Sequence, residues 1–451
     1  MGETRDKHHP DWTRYRDSSL RQFSLNYRII HALPMNRRVL LILIFVFGLS
    51  LSLSAQVPGF FIKGKERKAT IPFISSNSLV IVPVSINGNV PINFLVDTGV
   101  RANILFSKNL GDAMSLEYSR KINLVGADGS TTLGAFISPV NHIDLGPVEG
   151  RLQSLLVLEE DFLEIEAVIG TPVYGILGYE FFKYNPIRIN YDDSKIDFFR
   201  TDAMKWRPPF YHKLELSIEN NKPYIEAKVK QKNAGILNPK LLIDTGANHG
   251  LLLNLETSEE IQLPEETIES ELGQSLGGVL YGSIGRVDRL IVGGLKLDNV
   301  LTSYPEENDY SFVIKESGRQ GSLGAEVLGR MRLIIDYPRG RMFTRKGRDF
   351  YAPFEFDMSG IFLKKINTDD NRFYVGQVRE GSPAEELGIK QNDEIMAINK
   401  IPTFIWELPE LIKLFRSEEG KEIELALRRY RNNDLNDYED YVVKLRLRKQ
   451  I

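Results

Sequence analysis

The stretch "INFLVDTGVR", residues 92–101, decides how this chain is read. An apolar run, Phe94, Leu95 and Val96, ends on Asp97, and Thr98 and Gly99 follow at once. Asp and Gly are ordinary turn residues, so taken alone the stretch is a strand entering a turn. It recurs, however: residues 239–250 read "PKLLIDTGANHG", in which Leu241, Leu242 and Ile243 run into Asp244, Thr245 and Gly246, and the two aspartates lie 147 positions apart. Other landmarks keep that offset. "GILGYEFF", residues 175–182, follows the first triplet and "GSLGAEVL", residues 321–328, the second, so that Gly178 and Gly324 lie 146 apart, and 13 residues beyond each comes Tyr191 or Tyr337. Independent turns do not hold such a register. The chain therefore contains a duplicated unit of about 145 residues, an ordinary size for a domain.

At 451 residues, 42% hydrophobic and 26% charged, the composition is that of folded protein with length for several domains. The net charge is −3 and the folded part has no long basic block, so nucleic-acid binding is not expected. The absence of cysteine removes thiol nucleophiles, disulfides and thiolate metal sites together. The six histidines show no paired spacing of the H-E-x-x-H kind, and no metal or organic cofactor is implied.

Residues 35–55, "MNRRVLLILIFVFGLSLSLSA", open on Arg37 and Arg38 and continue with an apolar run from Val39 to Leu49. That run is shorter than the roughly 20 residues a membrane span needs and suits the core of a signal peptide cleaved near Ala55. Export to a periplasm or the exterior is expected; an uncleaved segment would leave the chain anchored to a membrane. Residues 1–34, polar and rich in Arg and His, precede this second methionine and read as a disordered or untranslated extension.

From Ser78 to Phe199, short runs of Val, Ile, Leu and Phe are broken by turn signals such as Asn87-Gly88, an all-β pattern. "SLVIVPVSINGNVPINFLVDTG" predicts a hairpin whose second arm delivers Asp97 to a loop. "KWRPPF", residues 205–210, links the two units. Residues 56–204 and 205–350 are thus read as two similar β lobes. Each has a Gly-rich hairpin between its aspartate and its landmark glycine, "GADGSTTLG" with Asp128 and Gly129, and "GQSLGGVLYG" with Gly277 and Gly278. Residues 351–451 alternate strand-like and helix-like periods and form a separate α+β module.

An approximate twofold axis between two similar lobes would bring Asp97 and Asp244 side by side. Carboxylates that close do not both ionise cheaply, so the pair keeps one proton over a wide pH range. Such a pair takes a proton from water with one member and donates a proton to a carbonyl with the other, which is hydrolysis without a covalent intermediate. Gly99 and Gly246 let the loops turn tightly, buried Thr98 and Thr245 hydroxyls need partners across the interface, and the two hairpins are candidate flaps over substrate.

With these residues in hand, the chain resembles a retropepsin-like aspartic protease with both lobes fused: Asp97-Thr98-Gly99 with Ile176-Leu177-Gly178, and Asp244-Thr245-Gly246 with Ser322-Leu323-Gly324. The resemblance covers about 280 residues. It implies a mainly β, bilobal fold in which the segments ending at Gly178 and Gly324 thread behind the catalytic loops as psi structures. It also implies an aspartic endopeptidase acting on proteins or peptides. Val100 stands where the family favours a small residue, and Ser322 where it favours an apolar one; Tyr179 and Ala325 replace the arginine of retroviral members. The C-terminal module resembles a PDZ domain. That likeness implies a carboxylate-binding loop around Gly360, an edge strand beginning at Ile361 and Phe362, and a groove helix at "ELPELIKLF", which together would bind an extended peptide and recruit substrate.

Other chemistries fit less well. "GQSLG", residues 273–277, matches a serine nucleophile elbow, yet no histidine follows it, the last being His249. His249, five residues after Asp244, reads as a turn or surface residue, the alternative being one that approaches the site. Glu180 and Glu326, equivalent in the repeat, read as helix-start residues rather than a glycosidase pair. The alternative to an active enzyme is a latent or inactive peptide-binding scaffold of the same fold.

Overall fold

The computed structural model describes residues 57–125, 132–161, 165–275, 278–308, 311–366, 371–431 and 434–451. The proposed extension and signal segment, the hairpin residues Asp128 and Gly129, and Gly277 lie outside them. Strands dominate throughout, as the alternating patterns require. Leu79–Ile86 and Ile92–Val96 form the expected antiparallel hairpin, with Ile81 opposite Leu95 and Val84 opposite Ile92. Asn87 and Gly88 both take positive φ, which is why an Asn-Gly pair stands at this turn. Phe94, Leu95 and Val96 are buried in succession because the strand is covered on both faces.

The two lobes repeat one rare pairing. Gly175–Leu177 runs parallel to Ile92–Val96, with Leu177 beside Val96, and antiparallel to Asn103–Leu105. In the second lobe Gly321–Leu323 runs parallel to Lys240–Ile243, with Leu323 beside Ile243, and antiparallel to Leu251–Leu253. A six-stranded sheet joins the lobes: Ile187–Asn190 of the first pairs with Met331–Asp336 of the second, Ile187 opposite Ile335 and Asn190 opposite Arg332. A single apolar core runs from this sheet into both lobes. At its first-lobe end Phe181 meets Phe60, Phe182 and Phe198 edge-on at 5.3 Å. Burying one such ring contributes roughly 2 kcal/mol.

Residues beyond Phe350 build a separate sheet with its own core, its strand order running from the edge strand Ile361–Ile366 to Asp434–Arg446. Helix Leu408–Phe415 carries buried Leu408, Leu411 and Phe415 one or two turns apart, the spacing of a single buried face. This module is fastened to both lobes. Arg330 lies 3.6 Å from the ring centre of Phe354 and donates to Pro353 O at 3.0 Å. The short helix Ile165–Ile169 of the first lobe packs against the edge strand, where Lys365 donates to Gly170 O at 3.4 Å.

Candidate active site

Asp97 and Asp244 each stand one residue past the strand that delivers them. The parallel psi strand carries each ladder one step further: Asp97 N–H donates to Leu177 O at 2.9 Å and Asp244 N–H to Leu323 O at 3.0 Å. Beyond them, Gly178 and Gly324 run against the returning loops. A Cβ there would lie 2.5 Å from Ala102 O or 2.2 Å from His249 O, which fixes glycine at both positions.

The lobe interface is tied by the threonines. Thr98 Oγ1 donates to Ile243 O at 2.6 Å and accepts from Thr245 N–H at 3.1 Å; Thr245 Oγ1 donates to Val96 O at 2.8 Å and accepts from Thr98 N–H at 3.1 Å. Both threonines are fully buried. Each of these groups left without its partner would cost about 1–3 kcal/mol, so the reciprocal pattern holds the two loops rigidly.

Gly99 N–H donates to Asp97 Oδ1 at 2.6 Å and Gly246 N–H to Asp244 Oδ1 at 3.2 Å. Each glycine also passes beneath the other lobe's carboxylate. A Cβ on Gly246 would stand 2.2 Å from the carboxyl carbon of Asp97, and one on Gly99 2.9 Å from Asp244 Oδ2. The carboxylates therefore meet across the axis. Burial drives the pKa of Asp97 well above the usual carboxylate range, helped by the charge of Asp244 and a hydrogen bond between the two side chains. The Gly99 N–H and the Lys222 ammonium oppose that rise. The surroundings of Asp97 thus favour its keeping a proton.

A cleft of about 370 Å³ opens over the pair. Val100 lines it, so the departure from a small residue narrows the cleft floor. Of the candidate flaps, the second hairpin pairs Ile268–Ser275 with Gly278–Val292, Ser275 facing Gly278, and its Leu272, Gly273 and Leu280 form part of the wall. The first hairpin pairs Arg120–Val125 with Thr132–Asp144, and none of its described residues reaches the cleft.

His249 is half-buried and lines the cleft rather than standing free at the surface. Its Nε2 lies 2.9 Å from Ser322 Oγ, and burial holds its pKa below that of ordinary imidazole. The polar residue at 322 is thereby explained: it partners a histidine. Glu180 is a helix-start residue paired with Lys183 at 3.1 Å. Glu326, in contrast, is partly buried, which raises its pKa against the opposing charges of Arg416, Arg330 and Arg286. Lys222, which the motif reading overlooked, acts electrostatically on both aspartates. Its signal lay in strand register rather than in any motif.

The PDZ groove is occupied from within. Gly360 takes φ +81°, with its absent Cβ 2.1 Å from Ser382, as a tight loop requires. Its N–H, however, donates to Asp357 Oδ1 at 2.7 Å, and Ile361 N–H donates to Ser359 Oγ at 3.0 Å. Asp357 is held by Arg379 at 3.2 Å. Two donors expected to receive a peptide carboxylate are already engaged, and helix Ile165–Ile169 packs on the edge strand. Gly360, Ile361 and Phe362 line instead a cavity of about 570 Å³ between the PDZ domain and the second hairpin, which meets the cleft at Val168, Asn248 and His249.

Residues 82–181 and 225–327 match the family model described as aspartyl protease, and residues 374–429 match that of the PDZ domain. No curated protein matches the sequence. Among solved structures, the aspartic proteinase from Irpex lacteus is 11% identical over 63% of this chain and 99% of its own, with a TM-score of 0.39. The chain thus carries a duplicated, mainly β aspartyl-protease unit followed by a PDZ domain.

Proposed function

We propose that the protein is an exported aspartic endopeptidase. The observation that carries this reading is the meeting of Asp97 and Asp244 at the cleft between the lobes, above the reciprocal Thr98–Thr245 hydrogen bonds. In the proposed reaction the ionised carboxylate takes a proton from water, whose oxygen attacks the peptide carbonyl carbon, while the protonated carboxylate gives its proton to the carbonyl oxygen. The tetrahedral diol then collapses: a proton passes to the leaving nitrogen, the C–N bond breaks, and the pair returns to its one-proton state. The Thr98–Thr245 hydrogen bonds keep the carboxylates in place through the cycle, so little reorganisation accompanies each turnover.

The basic start and short apolar run of residues 35–55 support export. Recruitment of substrate by the loop of Gly360, Ile361 and Phe362 is not part of the proposal, because the N–H groups of Gly360 and Ile361 are engaged by Asp357 and Ser359. The test is incubation of the protein, Asp97→Asn and Asp244→Asn with a mixed peptide library from about pH 3 to about pH 8, new termini being read by mass spectrometry. Cleavage by the parent and loss on the order of 10³-fold in both folded variants is expected. Full activity in either variant rules out the shared-proton reaction.

A further inference from the structure

The two lobes place unlike side chains at equivalent positions around the aspartates. The ladder that sets Ile81 opposite Leu95 and Val82 opposite Phe94, continued by two residues, puts Leu79 opposite Asp97. The ladder that sets Tyr224 opposite Leu242 and Glu226 opposite Lys240, continued likewise, puts Lys222 opposite Asp244. Two residues before each psi strand stand Val173 in the first lobe and Arg319 in the second; at the middle of that strand stand Ile176 and Ser322. Phe106 follows the strand Asn103–Leu105 and bonds Tyr174 O through its N–H, and Asn254 follows Leu251–Leu253 and bonds Gln320 O in the same way. In the first lobe all four residues belong to one buried apolar cluster. In the second all four are polar, two are cations, and all line the cleft.

Among the described residues these cations make no direct side-chain contact with an opposite charge. Lys222 and Arg319 enter no ion pair among the described residues, and the guanidinium of Arg319 disfavours the charge of Lys222. Arg319 Nε and Asn254 Oδ1 are shut off from solvent with no hydrogen-bond partner. The aspartate pair carries a single negative charge while it holds its proton, which leaves one cation uncompensated. The further carboxylate among the described cleft residues, Glu306, is exposed and lies where the cleft meets the PDZ-side cavity. Partly desolvated, unpaired cations are costly unless a ligand supplies the counter-charge, and an arginine fork suits a planar carboxylate.

We propose that the second lobe's wall is a carboxylate-binding subsite, in which Lys222 and Arg319 hold a substrate carboxylate beside the scissile bond while the first lobe's wall takes an apolar side chain. This rests on the endopeptidase reading. The carboxylate comes either from an Asp or Glu side chain or from the C-terminus of a short peptide. Both sources present the same chemistry, and the experiment separates them.

A cleavable peptide with an apolar residue on one side of the bond is prepared with Glu or Gln on the other, in both orientations. A second pair, truncated at that residue, ends in a free carboxylate or an amide. A preference of about tenfold or more in kcat/KM for Glu over Gln assigns the site to acidic side chains; a preference only for free acid over amide assigns it to chain ends. In either case Arg319→Leu and Lys222→Leu, which install first-lobe chemistry, should bring the ratio close to one. Arg319→Gln serves if a leucine variant fails to fold. Equal rates for both pairs, or a preference that survives these variants, overturn the subsite. Calorimetric binding of the same peptides to Asp97→Asn separates this failure from that of the endopeptidase reading. Glu-selective binding that depends on Arg319, without any hydrolysis by the parent, keeps the subsite and discards the reaction; equal binding there discards the subsite.

Discussion

The cleft between the lobes and the groove of the PDZ domain are both framed by strand, loop and helix, yet they differ in what their polar groups already touch. Over Asp97 and Asp244 the backbone and threonine groups are paired with one another, and the carboxylates face open space. At Gly360 and Ile361 the N–H groups that would greet a peptide are paired with Asp357 and Ser359. The lesson is that a binding frame becomes a binding site only where its donors and charges are left over after folding. By that criterion the lobe cleft qualifies, and the PDZ groove serves as a packing surface for helix Ile165–Ile169.

The comparison breaks most sharply at Gly246. A methyl group there would meet the Asp97 carboxyl at 2.2 Å, so Gly246→Ala must push the carboxylates apart. Since misplacing reacting groups by an ångström costs about 10²-fold, peptide cleavage should fall by at least that factor. Gly235→Ala, where an added methyl meets nothing within 4 Å, is the matched control and should cleave like the parent. Similar rates for the two variants would separate the dyad from catalysis.

Thr98→Val tests the rigidity of the open site. It keeps the volume but strands Thr245 N–H and Ile243 O inside the interface. A stability loss on the order of 3 kcal/mol is expected in urea unfolding. Thr98→Ser should recover most of it, and a valine variant as stable as the parent would show that the interface is held elsewhere.

On the PDZ side, Asp357→Ala frees the Gly360 N–H and removes the carboxylate that pairs with Arg379. A peptide with a free C-terminal carboxylate should bind this variant about tenfold tighter than the parent by fluorescence anisotropy, and an amidated peptide should gain nothing. Equal binding to parent and variant would mean that the internal carboxylate does not close the groove.

Most of the frame was legible in the sequence because it rests on local, repeated constraints. Asp-Thr-Gly needs a turn and a buried hydroxyl partner, and the psi glycines need room against a carbonyl, so the chain states both twice. The wall chemistry was hidden for the opposite reason. Lys222 reaches Asp244 through antiparallel register, 22 residues away along the chain, and Arg319 arrives from just before the second psi strand. His249 looked like a turn residue because its partner, Ser322, lies 73 positions on. The residues that close the PDZ groove carried no signal either: Asp357 stands just before the loop that the likeness marks, and helix Ile165–Ile169 belongs to another domain. Contacts set by tertiary packing leave no periodic trace.

The smallest effect is the most diagnostic of the proton that the pair holds. Asp97 in the folded protein keeps its proton to a higher pH than it does in the unfolded chain, because burial and Asp244 disfavour its charge. Below the ordinary carboxylate pKa of about 4 both states are protonated and the residue costs nothing. As pH rises the unfolded chain ionises first, so stability is lost progressively until the folded pKa is passed. Asparagine cannot ionise and mimics the protonated form. The Tm of Asp97→Asn should therefore lie above that of the parent near neutral pH, with the difference shrinking towards about pH 4. Lys222 opposes the rise in Asp97, so Lys222→Met should widen the neutral-pH gap and move the alkaline limb of cleavage to higher pH. A gap that is constant with pH would mean that Asp97 ionises as freely in the folded protein as in the unfolded chain, and the two carboxylates would then share no proton.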